Sequence, residues 1–277
     1  MDTRKPIVAG QFYPNDKKEL TKLLDQVREK EEDSIDYSLA KKNIIGGVIP
    51  HAGYIFSSYQ AMHFFQLLKN KEEKYDTVFI INPSHTGMGN EMSFDSHREW
   101  ETPFGKTEVD QEFAREMNIA VSEIEQSREH SGEVMLPFLQ YVLDYPFKIA
   151  PVTITMQNYR NASALANNIY EANKKLNKNI LILASSDFSH FVDPETGSKL
   201  DQMVIDEITQ FNTEQVEKVI STHHITVCGY GPIMALMEFS QLISDNAQTK
   251  ILKKGNSGDI ITSNEVVDYV SILFYYE

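Results

Sequence analysis

Four short runs of nearly unbroken apolar residues punctuate the first two-thirds of the chain. They are NIIGGVIP (43–50), DTVFIINP (76–83), FKIAPVTIT (147–155) and NILILASS (179–186). A strand covered on both faces reads this way, because neither face meets water. Between and beside these runs the apolar positions recur at helical spacing, over Phe56–Leu68, Gln111–Ile119, Glu129–Leu143 and Ala162–Leu176. Upstream, Leu20, Leu23, Leu24 and Val27 mark one face of a helix over 16–31, with Asp16 and Glu19 spaced as a capping box. The charge run that follows, REKEEDS, reads as a solvated face or loop. Strand–helix alternation predicts an α/β fold: one domain over residues 1–277, an α/β/α sandwich around a mixed, largely parallel central sheet. Near the end, TKILKKG and EVVDYVSILFYY predict two further strands as an antiparallel pair. The stretch MSFDSHREWETPFG (92–105) reads as an extended excursion outside the core.

Composition adds limits rather than detail. The chain has 277 residues, 41% hydrophobic and 24% charged, enough apolar material for a sizeable core. A formal charge of −14 argues against a nucleic-acid binder, which needs a basic stripe. It fits a soluble cytoplasmic protein that handles a small molecule or a neutral or cationic partner. The single cysteine cannot form an intrachain disulfide. The opening MDTRKPIVAG lacks the apolar stretch of a signal peptide. No apolar run reaches the roughly 20 residues needed to span a bilayer, so no membrane partner is expected.

The placement of the eight histidines changes the picture. His51 follows GGVIP, His85 follows FIINPS, and His190 follows LILASSDFS. Three apolar runs thus deliver a histidine just past their carboxyl ends, the edge where ligand crevices form in open α/β sheets. One such histidine reads as a loop residue with a hydrogen-bonding task. Three at the same topological position favour a shared site. His51 and His85 stand 34 residues apart, about one βαβ unit, which predicts neighbouring strand ends. His130 in SREHSGEV either caps a helix start or enters the cleft together with Glu129. His63 reads as a buried, hydrogen-bonded core histidine, and His97 as a surface residue. Cys228, in TVCGYGPI, precedes a helix whose first turn suits Pro232. A lone cysteine is most often inert and buried. Near two strand-end histidines, its thiolate could instead complete a His2Cys site for iron, copper or zinc.

Seven ordered stretches carry a resemblance: RKPIVAGQFYP (4–14), PHAGYIFS (50–57), NPSHTGMG (82–89), WETPFGKTEVD (100–110), EHSGEVMLPFLQ (129–140), SSDFSH (185–190) and TVCGYGPI (226–233). On these the chain resembles the Memo family, called AmmeMemoRadiSam system protein B in prokaryotes. That family is similar in fold to class III extradiol dioxygenases. The resemblance implies His51, His85 and Cys228 as metal ligands, with Fe(II) first and copper or zinc as alternatives. It implies His190 as a proton-transfer residue with Asp187 beside it, and a cleft that includes His130, Glu129 and Tyr54. It also implies a radical-SAM protein as a system partner. A cysteine stands where the dioxygenases carry a carboxylate ligand, so ring cleavage does not transfer. Gly132 departs from the family, which more usually has a large aliphatic residue there.

Three functions follow as expectations. The first is a redox metalloprotein in which His190, tuned by Asp187, moves a proton. The second is a binding module for an anionic ligand, a phosphorylated or carboxylated peptide or small molecule, with Arg98 and Arg128 as the nearest cations in sequence. The third is a cysteine hydrolase that pairs Cys228 with His190.

Overall fold

The computed structural model describes residues 2–277. In chain order the elements are β1 (Thr3–Arg4), α1 (Lys17–Glu31), β2 (Asn43–Ile49), α2 (Tyr54–Lys69), β3 (Thr77–Pro83), β4 (Met92–Asp95), β5 (Glu99–Thr102), β6 (Gly105–Glu108), α3 (Gln111–Glu116) and β7 (Ala120–Ser122). They continue with α4 (Leu136–Val142), β8 (Lys148–Ile154), α5 (Tyr159–Leu176), β9 (Ile180–Ser185), β10 (His190–Val192), α6 (Pro194–Thr209), α7 (Thr213–His223), α8 (Tyr230–Ile243), β11 (Gln248–Asn256) and β12 (Val266–Tyr276).

The four apolar runs become β2, β3, β8 and β9, and they pair in parallel in the order β2–β9–β3–β8. Antiparallel β12 extends the sheet beyond β2, with β11 along its other edge, and antiparallel β4 extends it beyond β8. Helices cover both faces. Gly46 and Gly47 show how closely, because successive strand residues point to opposite sides. A Cβ on Gly46 would lie 2.9 Å from Leu236 of α8, and one on Gly47 would overlap the Phe64 ring of α2. Helix α2, with α1 and α4 against it, forms one layer, and α8, with α5 and α7 against it, forms the other. Polar N-caps start several helices: Asp16 accepts from the Lys18 and Glu19 amides, and Asn158 from Asn161.

Four expectations need correction. β2 and β3 are not neighbours, because β9 enters between them. One βαβ unit of sequence leaves a strand-wide gap in the sheet, and a later strand fills it. The 92–105 stretch is not outside the core: β4 belongs to the main sheet, β5 pairs with β1 and β6, and Phe94 and Trp100 are buried. The helix expected from Glu129 begins only after a 3-10 turn at Glu133–Met135, because residues 129–131 serve the site instead. His97 is buried, with Nδ1 2.8 Å from Asp95 Oδ1. His63 is the buried histidine expected, 2.9 Å from Glu31.

Candidate functional site

The carboxyl ends of β2, β9 and β3 lie side by side, and polar residues that follow them gather at that edge of the sheet. His51 follows β2 and is 2% exposed. His85 follows β3 and is the most open of the group, with 36% of its side chain accessible. Their rings meet edge to face with centroids 5.2 Å apart. Cys228 arrives from the turn between α7 and α8, with Sγ 3.1 Å from His51 Nε2. One donor atom from each of His51, His85 and Cys228 lies within 4.8 Å of the others.

The far side of each ring is tied off. His51 Nδ1 is 2.8 Å from Ser185 Oγ, at the end of β9. His85 Nδ1 is 2.9 Å from Glu129 Oε1, and its amide donates to Glu129 Oε2 at 2.6 Å. Glu129 is fully buried and also accepts from the His130 amide, the Ser131 amide and Ser131 Oγ. Burial alone would raise its pKa, but these donors, led by His85, bring it down to about 2. A second trio, His85, Glu129 and His130, also has donor atoms within reach of one another. There the carboxylate is already committed to protein donors. The His51 pKa is held well below the ordinary histidine value by burial first, then by His85 and His130. A neutral imidazole is the form that binds a cation.

Cys228 owes its position to glycine and to Gln157. A Cβ on Gly229 would overlap the Ser185 carbonyl, so only glycine lets this turn reach the end of β9. Gln157 Nε2 donates to the Cys228 carbonyl at 2.8 Å, and Gln157 Oε1 accepts from the Gly231 amide at 2.8 Å. The Asp187 amide lies 3.2 Å from Cys228 Sγ, and the Cys228 amide donates to the Asp187 carbonyl. Burial, then the Asp187 charge, push the Cys228 thiol well above its ordinary value.

The remaining expected residues divide. His130 is half-buried beside this cluster, its ring 4.7 Å from His85 and 4.8 Å from Phe12. His190 stands at the start of β10, where its Nδ1 is 2.9 Å from the Thr226 carbonyl. Asp187 is turned elsewhere: Oδ1 accepts from the His51 amide at 2.7 Å, so it braces the His51 loop rather than pairing with His190. Its own pKa is pushed up to about 6 by burial, against the His51 amide. The imidazole on the thiol is His51, so the expected Cys228–His190 dyad is not formed. Tyr54 is not a cleft residue. It is buried between Tyr13 and Phe138, and its hydroxyl donates to the Val134 carbonyl at 2.6 Å. His223 and His224 end α7, with His224 in the left-handed conformation of a helix terminus.

Ser131, Ser185, Gln157 and Arg4 carry parts of the site that sequence reasoning missed. Arg4 is buried over the Trp100 ring and donates to the Glu129 carbonyl at 2.6 Å, to the Gln126 carbonyl and to Glu133 Oε2. Glu133 in turn holds the Ile7 and Val8 amides and the Tyr13 hydroxyl, which clips the N-terminal segment over this loop. Gly132 has a packing use here, since a Cβ would lie 2.7 Å from Asn82 Oδ1.

Relatives of this chain match it over nearly its whole length. A MEMO1 family protein of Desulfurococcus amylolyticus is 38% identical, covering 99% of this chain and 100% of the relative. MEMO1 family proteins of Methanobrevibacter smithii and Saccharolobus solfataricus are 38% and 37% identical, each covering 98% of this chain and 99% of the relative. Among solved structures, the uncharacterized protein JW3007 from Escherichia coli K12 shares the fold, with a TM-score of 0.53 at 11% identity over 83% of this chain and 99% of that one. The profile described as Memo-like protein matches residues 4–273, and the chain belongs to the Memo family.

Proposed function

We propose that this protein is a metalloprotein in which His51, His85 and Cys228 hold one transition-metal ion for redox chemistry. One observation carries the reading. Three separate strand-end and helix-start segments deliver three donor atoms to within 4.8 Å, while the outer nitrogen of each histidine is already bonded to protein. Such outer hydrogen bonds are the usual supports of metal-binding histidines. Two imidazoles and one thiolate suit iron, copper or zinc and disfavour magnesium or calcium. Iron(II) is the proposed resident, with copper or zinc as alternatives. The ion would supply a redox couple and Lewis acidity at the cleft floor.

The chain's own residues supply the rest. His190 has Nδ1 bonded to the Thr226 carbonyl, which leaves Nε2 to take up or release a proton. His130 and Phe12 wall the cleft beside His85 and offer a small ligand one polar and one apolar face. No helix among the described residues is long and apolar enough to cross a membrane.

The test is metal analysis after anaerobic purification of the wild type and of His51→Ala, His85→Ala and Cys228→Ser. Near-stoichiometric metal in the wild type and its loss from all three variants is expected. Undiminished metal in the variants, or no tight binding by the wild type, would overturn the proposal.

A further inference from the structure

We infer that Ser131 and Ser185 join His51 and His85 into one positioned unit, through a hydrogen-bond chain that runs behind the cleft from one ring to the other. The consequence for metal binding rests on the function proposed above. The chain itself does not.

Its direction follows from which atoms own protons. Ser185 Oγ lies 2.7 Å from the Ser131 carbonyl, which can only accept. The single hydroxyl proton of Ser185 is therefore spent on that carbonyl. At its other side Ser185 Oγ lies 2.8 Å from His51 Nδ1, and there it must accept. His51 is thereby fixed as the Nδ1–H tautomer, with the lone pair of Nε2 facing Cys228 Sγ. On the second branch, Glu129 Oε1 already receives the His130 amide, the Ser131 amide and the Ser131 hydroxyl, and Oε2 receives the His85 amide, so it accepts from His85 Nδ1 as well and His85 is likewise the Nδ1–H tautomer. Ser131 is the joint between the branches. Its amide and hydroxyl donate to Glu129 Oε1 at 2.9 and 2.7 Å behind His85, while its carbonyl holds the hydroxyl behind His51. Ser131, Ser185 and Glu129 are all fully buried, so water cannot readily replace a missing member. Ser131 and Ser185 touch neither Cys228 nor the open cleft in any of these bonds. They act through the rings, as positioning residues.

The experiment uses metal-free protein labelled with 15N-histidine, in the wild type, Ser185→Ala and Ser185→Thr. Long-range 1H–15N correlation spectra read the tautomer of each ring, and titration with zinc, a redox-inert probe, reads affinity. In the wild type both His51 and His85 should show the Nδ1–H pattern. Ser185→Ala should lose the single-tautomer pattern at His51, keep it at His85, and weaken zinc binding roughly 10- to 100-fold. Ser185→Thr, which retains the hydroxyl, should restore both. A wild-type His51 protonated on Nε2 would overturn the inference, and that measurement holds even if a variant fails to fold. Unchanged tautomer and affinity in a folded Ser185→Ala would overturn it as well. A wild type that binds no zinc but shows the Nδ1–H pattern would sink the metal reading and leave the chain standing.

Discussion

Cys228 Sγ lies 3.1 Å from His51 Nε2, although 177 residues separate the two in sequence. A sulfur and an imidazole nitrogen at that distance need a proton or a cation between them. Burial raises the thiol pKa and lowers that of the imidazole, so without a cation the pair is held as neutral thiol and neutral ring. A bound ion would take the place of that proton. The contact therefore depends on the turn that delivers Cys228.

Gly229→Ala should disturb that turn directly. Its Cβ would overlap the Ser185 carbonyl, a backbone atom of a central strand that cannot swing aside. The expected cost is about 1–3 kcal/mol in urea unfolding, as for other overpacked positions, together with faster alkylation of Cys228. Wild-type stability with an unchanged alkylation rate would show that the turn has room.

Arg4→Met should destabilise the protein. Arg4 is buried against Glu133, and its removal leaves that carboxylate without its cation and the Glu129 carbonyl without a donor. Breaking a buried pair in this way costs about 3–5 kcal/mol. Equilibrium unfolding measures it, and a loss near zero would contradict the clip assigned to residues 4–13.

Tyr54→Phe separates a core tyrosine from a ligand-binding one. Removing the hydroxyl leaves the buried Val134 carbonyl unpaired and should cost about 1–3 kcal/mol of stability. Metal content should stay at the wild-type level. Reduced metal content at unchanged stability would return Tyr54 to the cleft.

Stability should also carry a signature of Asp268. This buried carboxyl lies beside Asp201, whose Oδ1 holds the amide and hydroxyl of Ser189. Burial first, then the Asp201 charge, push Asp268 up to about 7. The folded-state value stands above the unfolded one. The contribution of Asp268 is therefore fully present below the ordinary carboxylate range and is lost as pH rises through about 7. Wild-type stability measured relative to Asp268→Asn should fall between about pH 4 and pH 7 and level off above that. A flat difference would show that Asp268 is ionised throughout that range.

Much of the fold was legible because its signals are local. The runs that became β2, β3, β8 and β9 are apolar along their length since both faces are covered, and Asp16 announces α1 because a helix start needs acceptors for its free amides. The misread stretches are those whose environment is supplied from elsewhere. Residues 92–105 look polar and irregular, yet Phe94 and Trp100 are buried by partners distant in sequence. His97 looks exposed until Asp95 folds back onto it.

The sequence alone determined that three histidines stand at strand ends and that a glycine-flanked cysteine precedes a helix, because these are properties of short segments. Only the tertiary structure decided which of them meet. It inserted β9 between β2 and β3, brought Ser185 and Asp187 behind His51, and turned Cys228 toward His51 rather than His190. It also drew Glu129 behind His85 and sent Tyr54 into the core. The physical reason is that strand order and hydrogen-bond direction depend on contacts between segments far apart in the chain. A residue's type states what it can donate or accept, and the packing of the sheet and its two helical layers decides to whom.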